Sequence, residues 1–251
     1  MDSFIAWVGG KKLLRKEIVS RFPEKFNRYV EVFGGAAWVL FYKKVSKNEV
    51  YNDINGELVN LFRCVKYHPE AIEKELEFVL NSRETFEEFI KNKNVSGSTD
   101  IQRAARYLYL IKASYGAKAT AYGMKSRDIS NADALYGVKE RLSRVVIEHK
   151  SFDKLITQYN KEDTLFYCDP PYHKTKRIYD TGDFIFDESQ HIKLRDMLSR
   201  IKGKFILSYN DDEFIRELYK DFNIEAVKRN NNLAARYNTN KEFAELIIRN
   251  Y

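Results

Sequence analysis

The stretch NRYVEVFGGAAWVLFYKKVSKNEVYNDINGELVNLFRCVK, residues 27–66, decides the fold class. Four segments follow one another in it. In the first, polar and apolar residues alternate as in a strand, and the third has the pattern of a short strand, whereas the second and fourth have helical composition and spacing. A strand, helix, strand, helix order predicts a parallel sheet with helices on its faces. The predicted elements are a strand at 27–33, a helix at 36–44, a strand at 48–52 and a helix at 55–66.

The second half of the chain returns to this alternation. Only the polar loop 229–241 separates its last two predicted strands, so we expect them to pair as an antiparallel hairpin at one edge of the sheet. The fold class is therefore α/β, with a mostly parallel sheet. The predicted strands are 145–149, 164–168, 204–208, 222–228 and 243–249, and the predicted helices are 152–159, 188–201 and 212–220.

Between the two halves the pattern changes to helices without strands. Helical composition at 69–80, 84–91 and 99–113 is followed by the irregular loop SYGAKATAYGMKSRDIS and a last helix at 131–144. We interpret residues 69–144 as a helical insertion. Residues 1–68 and 145–251 would then form one α/β core.

Composition excludes several classes of protein. The chain has 251 residues, 44% of them hydrophobic, with 11 Gly and 4 Pro, which is typical of a globular protein and not of a disordered or fibrous one. Its apolar runs are far shorter than the roughly 20 residues of a membrane span, and MDSFIAWVGGKK lacks a signal-peptide core. We expect a soluble cytoplasmic monomer with no membrane contact.

Cysteine and histidine spacing predicts no metal site. The two cysteines, Cys64 and Cys168, are far apart in sequence, and the four histidines are scattered. Structural zinc needs clustered ligands at short spacing, so we expect no bound metal.

Positive charge is concentrated in one fifth of the chain. The formal net charge is +7, and residues 101–150 alone carry ten Lys or Arg against four Asp or Glu, a difference of six. Tyrosines at 107, 109, 115 and 122 are interleaved with these cations. This favours a surface for nucleic acid, with phosphate contacts from the cations, although a solvated helical face would show the same composition.

The strongest chemical signal is TLFYCDPPY at residues 164–172, where an apolar strand runs directly into Asp169, Pro170, Pro171 and Tyr172. Ligands of open α/β sheets bind beyond the carboxyl ends of strands. The prolines stiffen the backbone. They have no N–H groups to donate, and their carbonyls are free to accept hydrogen bonds from a ligand. An amino group with two N–H bonds could be held by Asp169 and the Pro170 carbonyl, with Tyr172 as a stacking face; alternatively, the segment is only a stiffened turn.

Two further signals follow the first two strands. Gly34 and Gly35 allow close approach of a ligand to the backbone, or serve packing alone. The full G-x-G-x-x-G fingerprint is missing, which disfavours a nicotinamide or flavin site. Asp53 lies 18 positions after Gly35, the spacing of an acid that binds ribose hydroxyls, but it could instead cap the next helix.

Taken together, these segments resemble the Dam-type (alpha group) adenine-N6 DNA methyltransferases in content and order. WVGGK (7–11) resembles the cofactor motif at the N-terminus of that family, EVFGGAA (31–37) its glycine motif, NDIN (52–55) its acidic ribose motif and DPPY (169–172) its catalytic motif. KGKFILSYND (202–211) and EFAELIIRNY (242–251) resemble later strands of the family. The resemblance covers nearly the whole chain except roughly residues 69–144, where such enzymes vary.

The resemblance implies a Rossmann-like methyltransferase core, S-adenosylmethionine as cofactor and double-stranded DNA as partner, with the helical insertion as target-recognition region. It departs from the family pattern in having no proline after Glu31 and in carrying Ala36 and Ala37. The cofactor-binding residues implied are Trp7, Gly10, Lys11, Glu31, Phe33, Gly34, Gly35, Asp53 and Asp169. The catalytic residues implied are Asp169, Pro170, Pro171 and Tyr172.

The expected reaction is direct methyl transfer to an adenine rotated out of the duplex. Methyl transfer to RNA or to a protein amide, and DNA binding without catalysis, remain alternatives. Taken alone, Lys11 would be interpreted as a solvated lysine. The candidate DNA contacts are Lys118, Tyr122, Lys125 and Arg127 in the insertion, with Arg229 and Arg236 in the loop between the last two strands.

Overall fold

The structure of the protein, a computed structural model, describes residues 1–93, 96–124, 132–173, 186–229 and 243–251. Along this part of the chain, strands alternate with helices in both halves, as the sequence predicts. The strands are β1 (Arg28–Glu31), β2 (Asn48–Asn52), β3 (Val145–Glu148), β4 (Thr164–Cys168), β5 (Lys204–Asn210), β6 (Asn223–Arg229) and β7 (Phe243–Arg249).

The helices are generally shorter than composition predicts, because their ends give way to turns and caps. Asn55, Ser82, Thr99, Asp187 and Asp212 each accept a backbone N–H at a helix start. Such caps satisfy donors that the helix cannot. The helices are α1 (Arg15–Ser20), α2 (Trp38–Tyr42), α3 (Gly56–Tyr67), α4 (Pro69–Leu76), α5 (Arg83–Lys91), α6 (Asp100–Ala113), α7 (Ala132–Leu142), α8 (Phe152–Tyr159), α9 (Glu188–Leu198) and α10 (Glu213–Leu218).

All seven described strands join one sheet in the order β3-β2-β1-β4-β5-β7-β6. The pairs from β3 through β5 are parallel, and β7 pairs antiparallel with both β5 and β6. The α/β class, the mostly parallel sheet and the antiparallel edge hairpin are confirmed. The chain moves outward in one direction from β1 and in the other from β4, so the topological switch point lies between these two strands.

The two faces of the sheet carry separate apolar cores, because side chains alternate along each strand. On β4, Leu165 and Tyr167 face one core, whereas Phe166 and Cys168 face the other. Every residue of β4 is buried, as expected for a central strand covered by helices on both faces. The end of β4 is thereby fixed in place, and Asp169 emerges from it.

The helical insertion extends one of these cores. Helix α6 packs against α3, α4 and α5, and α7 packs against α3 and α4. Leu108 and Ile111 on α6 belong to the same apolar cluster as Tyr29 and Tyr51 on the sheet. The insertion is therefore anchored to the core by its buried face.

No helix in the described ranges is both long enough and apolar enough to cross a membrane.

Candidate active site

A cleft opens at the carboxyl ends of β1, β2 and β4, beside the switch point, and encloses about 670 Å³ of empty space including its mouth. We call it the edge cleft. Open α/β sheets bind ligands at this position. The structure brings together here all nine residues that the sequence predicts for the cofactor: Trp7, Gly10, Lys11, Glu31, Phe33, Gly34, Gly35, Asp53 and Asp169.

The turn after β1 needs its glycines for steric reasons. A Cβ on Gly34 would lie 2.2 Å from Cε2 of Tyr51, and Gly35 has a positive φ of 48° with Trp7 beside it. The Tyr51 hydroxyl donates to the Gly35 carbonyl at 2.8 Å, which holds the turn against β2. Ala37, at φ 55°, also takes the left-handed conformation, which favours glycine over alanine.

Asp53 organises the turn as well as facing the edge cleft. One carboxylate oxygen accepts the Gly35 N–H at 2.8 Å and the other accepts the Asn55 N–H at 2.8 Å. Burial raises the pKa of Asp53, and these backbone donors oppose the rise. The helix cap is Asn55 rather than Asp53, since its side chain accepts the Leu58 N–H. The capping alternative for Asp53 is therefore wrong.

Lys11 is not a solvated lysine, because it is only 4% exposed and pairs with Asp169. Its ammonium lies 2.7 Å and 2.9 Å from the two carboxylate oxygens of Asp169 and donates to the Gly9 carbonyl at 3.0 Å. Burial raises the pKa of Asp169, and the nearby ammonium opposes that rise. The N-terminal segment thus supplies the counter-ion of the acid at the end of β4.

Sequence reasoning missed one hydrogen-bond partner of Asp169, Ser208, and the tyrosine that contacts it. Ser208 on β5 donates to one oxygen of Asp169 at 2.9 Å, and its hydroxyl lies 3.2 Å from that of Tyr167. Both residues are buried. The signal that could have found Ser208 is its position in FILSYND, one of the segments that resembles a family strand, but β5 has no charged motif that would single it out.

The segment Pro170–Pro171–Tyr172 continues from β4 at the edge cleft. Pro170 is buried and Pro171 lines the cleft. The ring of Tyr172 lies beneath the Lys11 ammonium, 4.6 Å from the ring centroid, and its hydroxyl donates to Glu245 at 2.8 Å. The stiffened-turn alternative explains the rigidity of this segment but not its position beside a buried ion pair.

Glu31 is almost fully buried and lies within the wall of the edge cleft. The Tyr29 hydroxyl donates to it at 2.6 Å. Burial raises its pKa to about 8, so a proton is retained near neutral pH. The Tyr29 hydroxyl, the Lys43 ammonium and a backbone hydrogen bond at Leu40 oppose this rise in pKa but do not cancel it.

The cationic segment 101–150 is less available than its sequence indicates. Several of its cations bond to this chain: Arg103 to Asp100, Arg106 to the Asn92 carbonyl, Lys139 to Glu70, Arg141 to Glu49 and Lys150 to Glu148. Lys118 and Arg144 are exposed. A count of charges along the chain therefore overstates the positive surface that this segment offers.

The candidate DNA contacts are placed unevenly. Lys118 is exposed on the loop after α6, whereas the Tyr122 hydroxyl donates to Asn81 and its ring packs against Phe86. Arg229 ends β6. Lys125, Arg127 and Arg236 lie outside the described residues. Within the described ranges no group of three or more His, Cys, Asp or Glu could hold a metal ion.

Comparison with known proteins agrees with this geometry. The family model of the D12 class N6 adenine-specific DNA methyltransferases matches residues 7–233. The chain is 28% identical to the type II methyltransferase M1.LlaDCHI of Lactococcus lactis subsp. cremoris, over 99% of this chain and 95% of the relative. It is 27% identical to a DNA adenine methylase of Haemophilus influenzae, over 90% and 85%, and 26% identical to the retron Ec67 DNA adenine methylase of Escherichia coli, over 98% and 90%. The chain therefore belongs to the D12 class of N6 adenine-specific DNA methyltransferases.

Proposed function

We propose that this chain is a site-specific enzyme that transfers the methyl group of S-adenosylmethionine to N6 of adenine in duplex DNA, with Asp169–Tyr172 as its catalytic segment. One observation carries the proposal: Asp169 opens onto the same cleft as the glycine turn and Asp53. A methyl-donor site and an acceptor site are then adjacent at the switch point of the sheet. Adjacent binding of two reactants supplies much of the acceleration that such a transfer needs.

The lining of the edge cleft fits this cofactor. Among the described residues that line it, Asp53 and Asp169 are carboxylates, Glu31 is a buried acid that keeps its proton near neutral pH, and Lys11 is a cation. The cleft therefore does not share the positive charge of the whole chain, which is +7. S-adenosylmethionine carries ammonium and sulfonium charges and a ribose diol, and when bound it supplies an electrophilic methyl group. Asp53 would accept hydrogen bonds from the ribose hydroxyls, and Trp7 and Phe33 offer apolar surface to the rest of the molecule.

Within the catalytic segment, Asp169 and the Pro170 carbonyl would accept the two N–H bonds of adenine N6. These bonds draw the nitrogen lone pair out of conjugation with the ring, which makes N6 a better nucleophile. Tyr172 would stack on the adenine, which has left the helix because N6 is inaccessible inside a duplex. On taking the methyl group N6 would have to lose one proton, and the Asp169 carboxylate, as one of the two proposed acceptors of the N6 hydrogens, would be placed to receive it.

We assign target recognition to the helical insertion, residues 69–144, and catalysis to residues 1–68 and 145–251. The exposed position of Lys118 supports a phosphate contact. For Tyr122, whose hydroxyl and ring are engaged with α5 and its preceding turn, we propose that it shapes the loop on which the contacts lie. Lys125, Arg127, Arg229 and Arg236 remain proposed contacts on the grounds of charge alone.

The proposal is tested by incubating the purified chain with labelled S-adenosylmethionine and unmethylated duplex DNA, RNA or protein in parallel. We expect label in DNA alone, and sequencing for methyladenine then returns the recognition sequence. Label only in RNA or protein would favour the alternative acceptors, and DNA binding without label would favour a non-catalytic module. A DNA substrate also favours the cytoplasm as the place of action.

A further inference from the structure

We propose that Glu245 is a positioning residue for methyl transfer: it holds Tyr172 in the place that stacking on the extruded adenine requires. This inference rests on the proposed function and adds to it a residue from the antiparallel strand β7, to which the motifs assign no role. Its Oε2 atom accepts the Tyr172 hydroxyl at 2.8 Å.

The contact places an acidic side chain in the buried interior of the sheet. Glu245 is only 3% exposed and sits in the interior of the sheet, in register with Asn210 on β5 and Val227 on β6. A buried carboxylate is costly unless it is hydrogen-bonded or paired with a cation. Glu245 meets the first condition through the catalytic segment, whose Tyr172 hydroxyl bonds to it, and the second through the N-terminal segment, whose Lys11 ammonium lies 4.0 Å away.

The geometry indicates what this contact constrains. The tyrosine hydroxyl lies on the axis of ring rotation, so a bond to it leaves the ring free to flip but resists any swing of the whole side chain about χ1. Ring position is further limited by Lys11 over one face and by Tyr209, with a centroid distance of 6.1 Å. Glu245 therefore fixes where the ring stands, and the two neighbours limit how it tilts.

Glu245 is not among the residues that line the edge cleft, although it lies 4.0 Å from the Lys11 ammonium, which does line it. The edge cleft lies at the ends of β1, β2 and β4, whereas β7 lies beyond β5 on the side away from β1. Loss of the Glu245 contact should consequently affect the acceptor base and leave cofactor binding nearly unchanged. A residue that merely stabilised the fold would not separate the two.

The test compares Glu245→Ala, Glu245→Gln, Tyr172→Phe and the double variant Tyr172→Phe/Glu245→Ala under single-turnover conditions. Glu245→Ala and Tyr172→Phe should each lower the methyl-transfer rate about tenfold or more, the factor that corresponds to one charge-assisted hydrogen bond. The double variant should lose about the same factor and not its square, because both changes break one contact. Glu245→Gln keeps an acceptor for the hydroxyl and should recover most of the rate.

Two further measurements isolate positioning from folding. With 2-aminopurine at the target position of the recognition duplex, Glu245→Ala should reduce the increase in fluorescence that accompanies base extrusion. The affinity for S-adenosylmethionine should stay within about twofold of that of wild type. The matched control is Glu225→Ala. Glu225 lies on β6, beside β7, and its carboxylate pairs with Arg21 and not with a residue of the catalytic segment. It should behave as wild type in both measurements.

Wild-type rate and fluorescence for Glu245→Ala, or losses that multiply in the double variant, would overturn the inference. If Glu245→Ala does not fold, Tyr172→Phe and Glu245→Gln still decide it: a wild-type rate for Tyr172→Phe would show that the contact does not matter. Absence of methyl transfer by the wild-type chain would instead refute the proposed function, so the two failures are distinguishable.

Discussion

The edge cleft and the helical insertion use charged side chains in opposite ways. At the cleft the acids are buried or half-buried and hydrogen-bonded, and Asp169 is held by Lys11 and Ser208 from distant parts of the chain. In the insertion, surface cations bond to acids of the same surface, as Lys139 does to Glu70, or are exposed, as Lys118 is, whereas Arg141 pairs with the buried Glu49 of β2. The cleft is a connected network, whereas the surface of the insertion is a set of separate charges.

This difference indicates how each region should respond to substitution. In a buried network, removing one group leaves another without its partner, so single changes should have large effects that are not additive. Exposed cations act through screened interactions with phosphates, so their effects should be small and additive. Four predictions test the comparison, in order of decreasing effect.

The largest effect is expected at Asp169. Asp169→Asn should lower the methyl-transfer rate by about 10²-fold or more, since it replaces an acceptor-only carboxylate with a group that also donates to N6. The measurement is single-turnover transfer to the recognition duplex. Asp169→Ala is a poorer probe, because it also leaves Lys11 buried without its closest acid and should cost stability.

The double variant Asp169→Ala/Lys11→Met supplies the control for stability, because it removes both charges together. It should unfold at a higher temperature than Asp169→Ala while remaining inactive. Turnover near the wild-type rate by folded Asp169→Asn would refute the catalytic role.

A smaller effect is expected for cofactor binding. Asp53→Ala should weaken S-adenosylmethionine binding about tenfold or more, because it removes both the proposed ribose acceptor and the acceptor of the Gly35 N–H. Lys11→Ala should weaken cofactor binding too, because Asp169 at the cleft would lose its ion-pair partner. Isothermal calorimetry checks both, and neither change should alter which DNA sequence is modified. Unchanged affinity in both variants would remove these residues from the site.

The cleft should also show a pH dependence of stability that an ion-paired acid outside the cleft, Glu225, lacks. The folded-state pKa of Glu31, about 8, lies above its ordinary value of 4.5. Its contribution to stability is therefore full below the ordinary pKa and is lost as the pH rises through about 8. Glu31→Gln cannot ionise, so its unfolding temperature relative to wild type should rise between about pH 6 and pH 9, by roughly 2–4 °C per kcal/mol.

Glu225→Gln provides the comparison for Glu31, because Arg21 lowers the pKa of Glu225. Its stability contribution is lost only in acid, so no trend should follow between pH 6 and pH 9. If the difference in unfolding temperature between Glu31→Gln and wild type did not change with pH, the assignment of Glu31 as a buried neutral acid would be contradicted.

The smallest effect is expected on the insertion. Lys118→Ala should weaken binding to all duplexes alike, by a fewfold, and reduce the salt slope of binding by roughly one unit if it contacts one phosphate. Lys139→Ala is the matched control. Because Lys139 is already paired with Glu70 at 3.0 Å, its substitution should leave the salt slope unchanged. Titrations at several salt concentrations measure both; equal slopes for Lys118→Ala and wild type would place the DNA surface elsewhere.

The sequence by itself determined the order of strands and helices and the residues that end the strands of the edge cleft. These features depend on local chemistry: side-chain alternation along a strand, glycines where a turn is crowded, and prolines that stop a strand. Gly34, Gly35, Asp53 and Asp169 could therefore be located without coordinates. Helix ends were predicted less well, because they depend on caps such as Asn55, which compete with nearby acids for the same role.

Only the tertiary structure decided which of these groups are partners. Lys11 and Asp169 are 158 positions apart, and Tyr172 and Glu245 are 73 apart. The sheet order brings them together by placing β4 between β1 and β5 and inserting β7 beside β5. A lone lysine has the same local pattern whether solvated or buried, because its burial depends on elements far away in the chain. The same holds for Glu245, whose local pattern is that of any strand residue.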